Sequence, residues 1–525
     1  MFWADKIAAS SQQPELVNDS KTPSGRVHVG SLRGVIIHDV IYRALKRQGK
    51  PARFTYGVDD YDAFDSIPRY LDAEKFSPYL GFPLCNVPSP DPTVAPDYAK
   101  YYMGEFLQVF DYLGVKAEIY YLRDLYRSGK LNYYIDLFLR NAAVVRDIYK
   151  EVSNAQRPDD WYPFQVICEN CGKIATTYVS EYNGEKVFYT CREDATDWVR
   201  GCGYQGWISP FDGNGKLPWK VEWVAKWDLL GVTIELSGKD HSQKGGSRDV
   251  ANALCRKILR KKPPFHSPYE FVLVNGTKMS SSKGIGSSAR EMAELLPPEI
   301  LRFLMLRTQP KTVINFAPNY ETITRLFRDY DTLLNEYAEL LAGAETSELP
   351  PTLLPLYYSQ LQDEIKPYYT FELSTIISLL QIPHLDLKSE IEKRCDRPLT
   401  EYDWQKINER ITVAKKWLES YADEEEKLVI YFEEIPSKVS MLTDEQKQYL
   451  RRLREYLETV EKWEGEELQT ALFTVTKQMG ISPNVAFPAV YYAFLGKDRG
   501  PKAGYLFSYL DKNFVFKRLE EVSSL

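Results

Sequence analysis

Residues 22–58 read TPSGRVHVGSLRGVIIHDVIYRALKRQGKPARFTYGV. From Val29 onward the apolar residues recur at helical spacing, Gly49 ends the predicted helix, and ARFTYGV follows as a short strand. A helix that leads into a strand in this way is typical of an α/β domain. The stretch therefore predicts that an α/β fold begins near the amino terminus.

Changes of pattern divide the rest of the chain. Residues 160–215 are rich in Cys and Gly and carry short β-type runs, which indicates a small inserted module. The α/β pattern resumes with a strand and loop in WDLLGVTIELSGKDH (227–241) and with the amphipathic helix SRDVANALCRKILRK (247–261). Beyond about residue 290 the periodicity is helical, interrupted by the proline-rich GAETSELPPTLLP (343–355). We therefore predict an all-α carboxyl-terminal region.

The composition is that of a globular protein. The chain has 525 residues, of which 44% are hydrophobic and 26% charged, which excludes a disordered or fibrous chain. A net charge of −7 excludes binding to nucleic acid by bulk positive charge. No apolar stretch approaches the roughly 18 residues of a membrane span, and the start lacks the pattern of a secretion signal. We expect a cytoplasmic protein whose seven cysteines are reduced thiols or metal ligands.

Two segments have the chemistry of phosphate-binding sites. Residues 28–31 (HVGS) open the first long helix, whose amino end offers backbone N–H groups and a positive dipole to an anion. Residues 278–284 (KMSSSKG) form a hydroxyl-rich loop with two cations that would neutralise a transferring phosphoryl group. Each segment alone also fits a simpler interpretation: a capping turn for the first, and a solvated Ser/Lys linker for the second.

Taken together, the two segments resemble the HIGH and KMSKS signatures of class I aminoacyl-tRNA synthetases, in the same order. Between them, residues 238–241 (GKDH) resemble the third element of that class, a turn at the end of a strand that holds the adenosine. The resemblance implies a Rossmann-like parallel sheet that binds ATP with Mg²⁺. It implies the catalytic residues His28, Ser31, Lys278 and Lys283, and the ATP-binding residues Pro23, Gly30, Gly238, Asp240, Met279, Ser280, Ser281 and Ser282.

Within this class, six stretches are similar to the class I lysyl-tRNA synthetases: TPSGRVHVGS, VDDYDAF, the CxxC module, KLPWKVEWVAKW, GKDHSQKGGS and KMSSSKG. This resemblance implies a lysine–tRNA ligase that forms lysyl-adenylate and then charges the 2′-hydroxyl of the terminal adenosine of tRNA-Lys. The lysine-binding residues that it implies are Thr22, Ser24, Trp219, His241 and Tyr269.

The chemistry near these residues agrees with a lysine pocket. A buried ammonium group needs a carboxylate or an aromatic face, because an unpaired buried cation is costly. An aromatic cluster such as WKVEW fits a protein core equally well. The side chains that supply these groups are Glu222, Asp240, Glu270, Trp219, Trp223 and Tyr269, while Asp59, Asp60 and Asp62 after the second strand stay unassigned.

Four cysteines of the inserted module have the spacing of a metal site. A CxxC turn places two sulfurs on one ion, and tetrahedral zinc takes four thiolates. We predict a structural zinc without a catalytic role, because a fully ligated ion leaves no open position. The alternative is four free or buried thiols. The predicted ligands are Cys168, Cys171, Cys191 and, with the least regular spacing, Cys202.

The chain departs from the lysyl family at several positions. Relatives commonly carry a second zinc site, built from Asp and His after a proline-rich loop. The corresponding residues 90–106 (PDPTVAPDYAKYYMGEF) offer Asp91 and Asp97 but no histidine, so we predict that this site is lost. Further departures are Ser31 where Asn is usual, Ser20 where Gly is usual, and Ser281 for the second Lys of KMSKS.

We predict five regions along the chain. Residues 1–85 and 216–295 form the two halves of the Rossmann catalytic domain, and 86–215 form the inserted connective module with its zinc-ribbon-like site of four cysteines. Residues 296–345 form a helical stem-contact or linker region, and 346–525 form the α-helical anticodon-binding region.

Two other functions stay open on the sequence. One is another class I synthetase, above all a glutamyl enzyme, and the other is a tRNA-binding paralogue that has lost catalysis. The expected partners are tRNA-Lys and L-lysine, with no membrane and no DNA, and a monomer is favoured. For the anticodon, a patch around Arg451, Arg452 and Arg454 is a candidate, although a solvated helix face is the simpler interpretation.

Overall fold

A computed structural model of the protein describes residues 1–11, 14–274, 276, 287–343, 349–382, 385–423 and 426–525. The chain forms two compact units. Unit 1 comprises Met1–Ala317 and Thr332–Pro367, and unit 2 comprises Pro318–Asp331 and Tyr368–Leu525. Within the described ranges, no helix combines the length and the apolar character that a bilayer crossing needs.

A parallel sheet forms the centre of unit 1. Strands β1 (Glu15–Lys21), β2 (Ala52–Val58) and β3 (Glu118–Tyr121) lie side by side in that order. On the other side of β1, Ile234 pairs with Val17 and Phe265 pairs with Ile234, again in parallel. The order across the sheet is therefore β3, β2, β1, the segment at Ile234 and the segment at Phe265, which is the strand order of a Rossmann-type fold. The predicted α/β class with a parallel sheet is confirmed.

Unit 1 also contains many helices, some packed on this sheet and others outside it. The helices that lie wholly or partly in unit 1 are α1 (Trp3–Ser10), α2 (Ser31–Arg47), α3 (Ala73–Phe76), α4 (Tyr98–Tyr112), α5 (Leu122–Arg127), α6 (Asn132–Arg140), α7 (Ala142–Ser153), α8 (Trp219–Leu230), α9 (Ser247–Leu254), α10 (Ala289–Leu295), α11 (Pro298–Leu306), α12 (Tyr320–Gly343) and α13 (Leu354–Ser359). A π-helical turn, Cys255–Leu259, continues α9.

Helix α2 is the predicted first helix. It is buried along most of its length, which its run of apolar residues allows. Lys46 and Arg47 lie in its last turn, where cations interact favourably with the helix dipole. Gly49 follows with a φ of 70°, a left-handed conformation that glycine adopts without steric cost. The chain can therefore reverse into β2.

The inserted module is made of short antiparallel strands. Its strands are β4 (Gln165–Val166), β5 (Thr177–Tyr182), β6 (Val187–Cys191), β7 (Gln205–Ile208) and β8 (Gly215–Lys216). Strands β5, β6 and β7 form one sheet in that order, and β4 pairs with β8. The module therefore lies in the chain between β3 and the segment around Ile234, so it interrupts the parallel sheet in sequence.

Two short parallel pairs complete unit 1. Strand β9 (Ser237–Gly238) pairs with β10 (Pro268–Tyr269), and β11 (Val272–Val274) pairs with β12 (Ile314–Phe316). Strand β12 lies in the region for which the sequence predicts only helices. Three residues are too short a run for a period to show, so its pairing with β11 decides the conformation.

Unit 2 is helical, as predicted for the carboxyl-terminal region. Its remaining helices are α14 (Leu373–Leu380), α15 (Leu387–Arg394), α16 (Glu401–Ser420), α17 (Asp444–Leu457), α18 (Gly465–Met479), α19 (Pro483–Leu495), α20 (Ala503–Tyr509) and α21 (Lys512–Ser524). Thr400 and Thr443 form capping boxes at the starts of α16 and α17.

The arginines of α17 make ion pairs inside unit 2. Arg452 pairs with Glu455 at 2.9 Å and Arg454 with Glu458 at 3.2 Å. Arg451 donates to the carbonyl of Ser523. These contacts fit the solvated helix face better than a basic patch. The boundaries of the five predicted regions stay predictions.

Candidate active site

A cavity of about 520 Å³ opens at the carboxyl ends of β1, β2 and β9. Ligands are expected at this edge of an open parallel sheet. Of the site residues predicted from the sequence, ten line this one cavity: Thr22, Ser24, His28, Gly30, Ser31, Trp219, Gly238, Asp240, His241 and Tyr269. The predicted residues thus come together from segments more than 200 positions apart.

The remaining predicted residues fall into two groups. Pro23 is buried and is not among the residues that line the cavity. The predicted residues of the KMSSSKG segment, Lys278, Met279, Ser280, Ser281, Ser282 and Lys283, lie outside the described residues.

The described chain that follows this segment lies against the HVGS segment. His28 forms an antiparallel bridge with Ser288, and the N–H of Val29 donates to the carbonyl of Ser287 at 3.0 Å. The N–H of Ala289 donates to the carbonyl of Val27 at 2.8 Å. Residue 287 is therefore fixed next to the amino end of α2, where backbone N–H groups favour an anion.

Aromatic rings form one wall of the cavity. The ring centroids of Trp219 and Trp223 lie 5.9 Å apart, and the ring of His241 lies 5.5 Å from Trp219 in an edge-on arrangement. Trp219 is 42% exposed, although it is apolar and large. Aromatic faces of this kind attract a cation or pack against an aliphatic chain.

Two lysines of the protein itself form ion pairs with carboxylates that line the cavity. Lys226 is buried and pairs with Asp59 at 2.7 Å, and the hydroxyl of Ser20 donates to the same carboxylate at 2.9 Å. Lys216 is also buried and pairs with Asp62 and, at 3.4 Å, with Glu222. The wall therefore contains internal ammonium–carboxylate pairs.

These pairs decide which carboxylates stay charged. Burial disfavours the charged form of Asp62, but the ion pair with Lys216 outweighs it and the pKa of Asp62 is lowered. Thr22 donates its hydroxyl proton to Asp62 at 2.5 Å, which fixes the Thr22 side chain. Burial dominates at Glu222, whose pKa is raised to about 7.

A third carboxylate orders the tryptophans of α8. Glu235 is buried and accepts the indole N–H groups of Trp223, at 2.9 Å, and of Trp227. The guanidinium of Arg248 lies 4.4 Å from the ring centroid of Trp227. Four charged residues that line the cavity were not predicted from the sequence: Asp19, Lys21, Lys226 and Glu235. Lys216, which pairs with Asp62 of the cavity, was not predicted either.

The three unassigned aspartates have different surroundings. Asp59 and Asp62 line the cavity, whereas Asp60 is fully buried and pairs with Arg123. Arg123 also donates two hydrogen bonds to Asp97, at 2.6 and 2.8 Å. A guanidinium group therefore contacts one of the two aspartates in the stretch where the second zinc site was predicted to be lost. The side chain of Asp91 accepts hydrogen bonds from Thr93.

The four module cysteines, Cys168, Cys171, Cys191 and Cys202, form one cluster. All four sulfurs lie within 4.8 Å of one another, and two pairs, Cys168–Cys202 and Cys171–Cys191, are 3.7 Å apart. A tetrahedron of thiolates at zinc–sulfur distances of about 2.3 Å has edges of about 3.8 Å. The cluster therefore has the size that a zinc ion requires.

Comparison with known proteins then identifies the family. The family described as tRNA synthetases class I (K) matches residues 1–352. The chain belongs to this family. A second family, described as an anticodon binding domain, matches residues 374–523 of the synthetase.

The synthetase is similar along its whole length to archaeal proteins. It is 32% identical to the lysine–tRNA ligase of Thermoplasma volcanium, over 99% of each chain. It is also 32% identical to the lysine–tRNA ligase of Archaeoglobus fulgidus, over 99% of each chain. Among solved structures, a glutamate tRNA ligase from Elizabethkingia meningosepticum is 13% identical, with a TM-score of 0.41 over 98% of this chain and 99% of that one.

A second cavity adjoins the first in the synthetase. It measures about 450 Å³ and shares Thr22, Ser24, Asp62 and Trp219 with the first cavity. On its far side it is lined by residues of the inserted module, among them Trp198, which is 40% exposed. The inserted module and the predicted lysine pocket therefore lie on adjoining cavities.

Proposed function

We propose that this synthetase is a lysine–tRNA ligase, which activates L-lysine with ATP and transfers it to tRNA-Lys. The observation that carries the proposal is that ten of the residues predicted to bind lysine and ATP or to act in catalysis line one cavity. The names of the relatives that match the whole chain support the same activity.

In the first step, the lysine carboxylate attacks the α-phosphorus of ATP, which gives lysyl-adenylate and releases pyrophosphate. His28 and Ser31 lie at the amino end of α2, where N–H groups and the helix dipole would hold the phosphates. Lys278 and Lys283 would meet the charge of the leaving pyrophosphate. Magnesium would enter with ATP and neutralise part of the phosphate charge.

The nucleotide and the amino acid would take opposite sides of the cavity. Gly30, Gly238 and Asp240 would hold the adenosine, with Pro23 and residues 279–282 completing the ATP site. Trp219, His241 and Tyr269 would enclose the lysine side chain, and Thr22 and Ser24 would contact it from the α2 side. Substrate position and fixed charges would then supply most of the rate enhancement.

In the second step, the 2′-hydroxyl of the terminal adenosine attacks the lysyl carbonyl and AMP leaves. The second cavity offers an entry route for that nucleotide, because its exposed Trp198 can stack on a base. The helical region matched as an anticodon binding domain would read the anticodon of tRNA-Lys.

The remaining proposals concern a structural zinc ion and the division of the chain into regions. Cys168, Cys171, Cys191 and Cys202 would hold one structural zinc that fixes the module beside the second cavity. The regions 1–85 and 216–295 would form the catalytic domain, 86–215 the inserted module, 296–345 the linker, and 346–525 the anticodon-binding region.

Aminoacylation of transcribed tRNA-Lys by the purified protein tests the function. We expect charging with lysine and not with glutamate, and His28→Ala should lower kcat about 100-fold or more while its melting temperature stays unchanged. Charging of tRNA-Glu with glutamate in a parallel assay would establish the glutamyl alternative. Binding of ATP without charging of any amino acid would establish the inactive paralogue.

A further inference from the structure

One carboxylate in the wall of the first cavity lacks the internal partner that its neighbours have. The other buried or half-buried carboxylates of the wall are held by side-chain cations or by indole N–H groups. Their partners are Lys226 for Asp59, Lys216 for Asp62 and Glu222, Lys239 for Glu270, and Trp223 with Trp227 for Glu235. The exception is Asp19 in β1.

The two carboxylate oxygens of Asp19 have different contacts. Its Oδ1 accepts the N–H of Ser20 at 2.9 Å. Its Oδ2 lies 3.6 Å from Nδ1 of His38, which is the one ion-pair partner within 4.0 Å among the described residues. Lys21, two residues along the strand, lines the same cavity but makes no ion pair with Asp19 in the described part of the chain.

His38 does not supply the missing charge. Its Nε2 accepts the N–H of Leu236 at 2.9 Å, so the ring proton is on Nδ1. That Nδ1 lies 2.7 Å from the carbonyl of Gly34 and donates to it. Burial also lowers the pKa of His38 to about 4, which keeps the ring neutral. The single N–H of the ring therefore already donates to the carbonyl of Gly34.

A glycine in the helix above leaves room at Asp19. A Cβ atom on Gly34 would lie 3.0 Å from Oδ2 of Asp19 and 2.6 Å from the hydroxyl oxygen of Tyr269. Glycine inside a helix costs about 1 kcal/mol relative to alanine. Here it allows the carboxylate and the Tyr269 ring, which also lines the cavity, to approach the backbone of α2.

The arrangement is unfavourable for the empty protein. Burial raises the pKa of Asp19 to about 7, because a desolvated carboxylate without a close cation prefers to be neutral. Aspartate is also a poor strand former. A residue held at such a cost in the wall of a binding cavity points to a ligand that supplies the counter-charge.

We infer that Asp19 accepts an ammonium group of bound lysine. The inference rests on the proposed function of the cavity as a lysine site. The ammonium group of the substrate would pair with Asp19 as the ammonium group of Lys226 pairs with Asp59 in the same wall. Asp19 would then determine specificity for a cationic amino acid.

Steady-state aminoacylation by the full-length protein tests this with Asp19→Asn and Asp19→Ser. We expect KM for lysine to rise at least 10-fold in both variants, while KM for ATP and for tRNA stays within twofold. The matched control is Asp91→Asn, which removes the same charge from an exposed loop and should leave all three constants unchanged. The melting temperatures of both Asp19 variants should not fall, because no ion pair with Lys or Arg is lost.

Two lysine analogues show which ammonium group is bound. 6-Aminohexanoate lacks the α-amino group and norleucine lacks the ε-amino group, and both can be measured as competitive inhibitors. Weaker inhibition by only the first in Asp19→Asn assigns the ε-ammonium, and weaker inhibition by only the second assigns the α-ammonium. Either result supports the inference.

The inference is overturned if both Asp19 variants keep KM for lysine within twofold of the wild type. That result is distinct from failure of the proposed function, in which the wild-type protein itself does not charge tRNA with lysine. A variant of the aromatic wall, Trp219→Ala, separates the cases further, because it should raise KM for lysine whenever the cavity binds lysine at all.

Discussion

The ammonium nitrogen of Lys226 lies 2.7 Å from a carboxylate oxygen of Asp59, inside the wall of the cavity proposed to bind free lysine. Both side chains are largely removed from solvent, so the pair compensates two desolvated charges. The ion pair with Asp59 outweighs the effect of burial and raises the pKa of Lys226 above its usual value. Removal of one partner alone leaves a buried charge.

Lys226→Met should therefore destabilise the protein by about 3–5 kcal/mol. The double variant Lys226→Met/Asp59→Asn should recover most of this loss, because no buried charge is left unpaired. The matched control is Lys257→Met, which removes an exposed pair with Glu151 and should cost less than about 1 kcal/mol. Urea denaturation measures all three, and a double variant no better than the single one would contradict this account of the pair.

Two glycines in helices should respond to alanine in opposite ways. Gly34→Ala puts a Cβ into contact with Tyr269 and Asp19, so we expect a lower melting temperature and a several-fold higher KM for lysine. Gly104 lies in α4, and a Cβ added there would meet nothing within 4 Å, so Gly104→Ala should gain about 0.5–1 kcal/mol from helix propensity. Thermal unfolding compares the two variants, and equal effects would refute the close approach at Gly34.

The cysteine cluster should hold one zinc ion per chain. Cys171→Ser removes one of four ligands, so the zinc content should fall to near zero and the melting temperature should drop. Cys395→Ser is the control, because Cys395 lies in unit 2 and should keep the full zinc content. Elemental analysis of both purified proteins decides it, and full zinc content in Cys171→Ser would exclude the site.

The stability of Asp19→Asn relative to the wild type should depend on pH. The pKa of Asp19 is about 7 in the folded protein and 3.8 as the ordinary value, so the wild type loses stability as pH rises between these values. The melting-temperature difference between variant and wild type should be near zero at pH 4 and about 2–4 °C in favour of the variant at pH 8. Thermal unfolding at both pH values measures this.

The other charged and titratable groups around Asp19 are the same in the variant and the wild type. Their contributions to the difference in melting temperature therefore cancel to first order. Those that face it are Lys21 on β1, His38 on α2, Tyr56 on β2, Asp59 after β2, Lys226 on α8 and Tyr269 on β10. A difference that shrinks as pH rises would mean that the carboxylate is stabilising in the folded protein.

Trp198 should act on tRNA and not on lysine. Its ring is exposed in the second cavity, where a base stacked on it would contribute about 1–3 kcal/mol. Trp198→Ala should raise KM for tRNA about 10-fold, while KM for lysine at saturating tRNA stays within twofold. Trp207→Ala is the control, because Trp207 is similarly exposed on β7 of the same module but does not line the cavity. An equal effect of both substitutions would argue against a stacking site.

Periodicity and turn residues were enough to predict α2 and β2 nearly to the residue. The adjacent β1, ELVNDSK, was not predicted, because Asn, Asp, Ser and Lys are poor strand formers. Its conformation comes from pairing with β2 along all seven residues and with Ile234. Tertiary contacts therefore override local preference in the strand that carries Asp19.

The site residues also divide into those that the local sequence predicts and those that only tertiary contacts bring together. Residues that belong to motifs, such as His28 and Asp240, could be predicted from the sequence to share a cavity, because a motif carries its own spacing. Lys216 and Lys226 could not, since their partners Asp62 and Asp59 lie 154 and 167 positions away. Only the folded chain shows which carboxylates are already occupied and which one is left for a ligand.

The contact between Arg123 and Asp97 affects how this synthetase would respond to metal limitation. A guanidinium group is part of the chain, so it cannot be removed by a chelator or exchanged for cadmium or copper. Asp97, which precedes α4, is therefore held by a contact within the chain. Under zinc starvation, damage would begin at the cysteine cluster, and the proline-rich loop before Asp97 would keep its conformation.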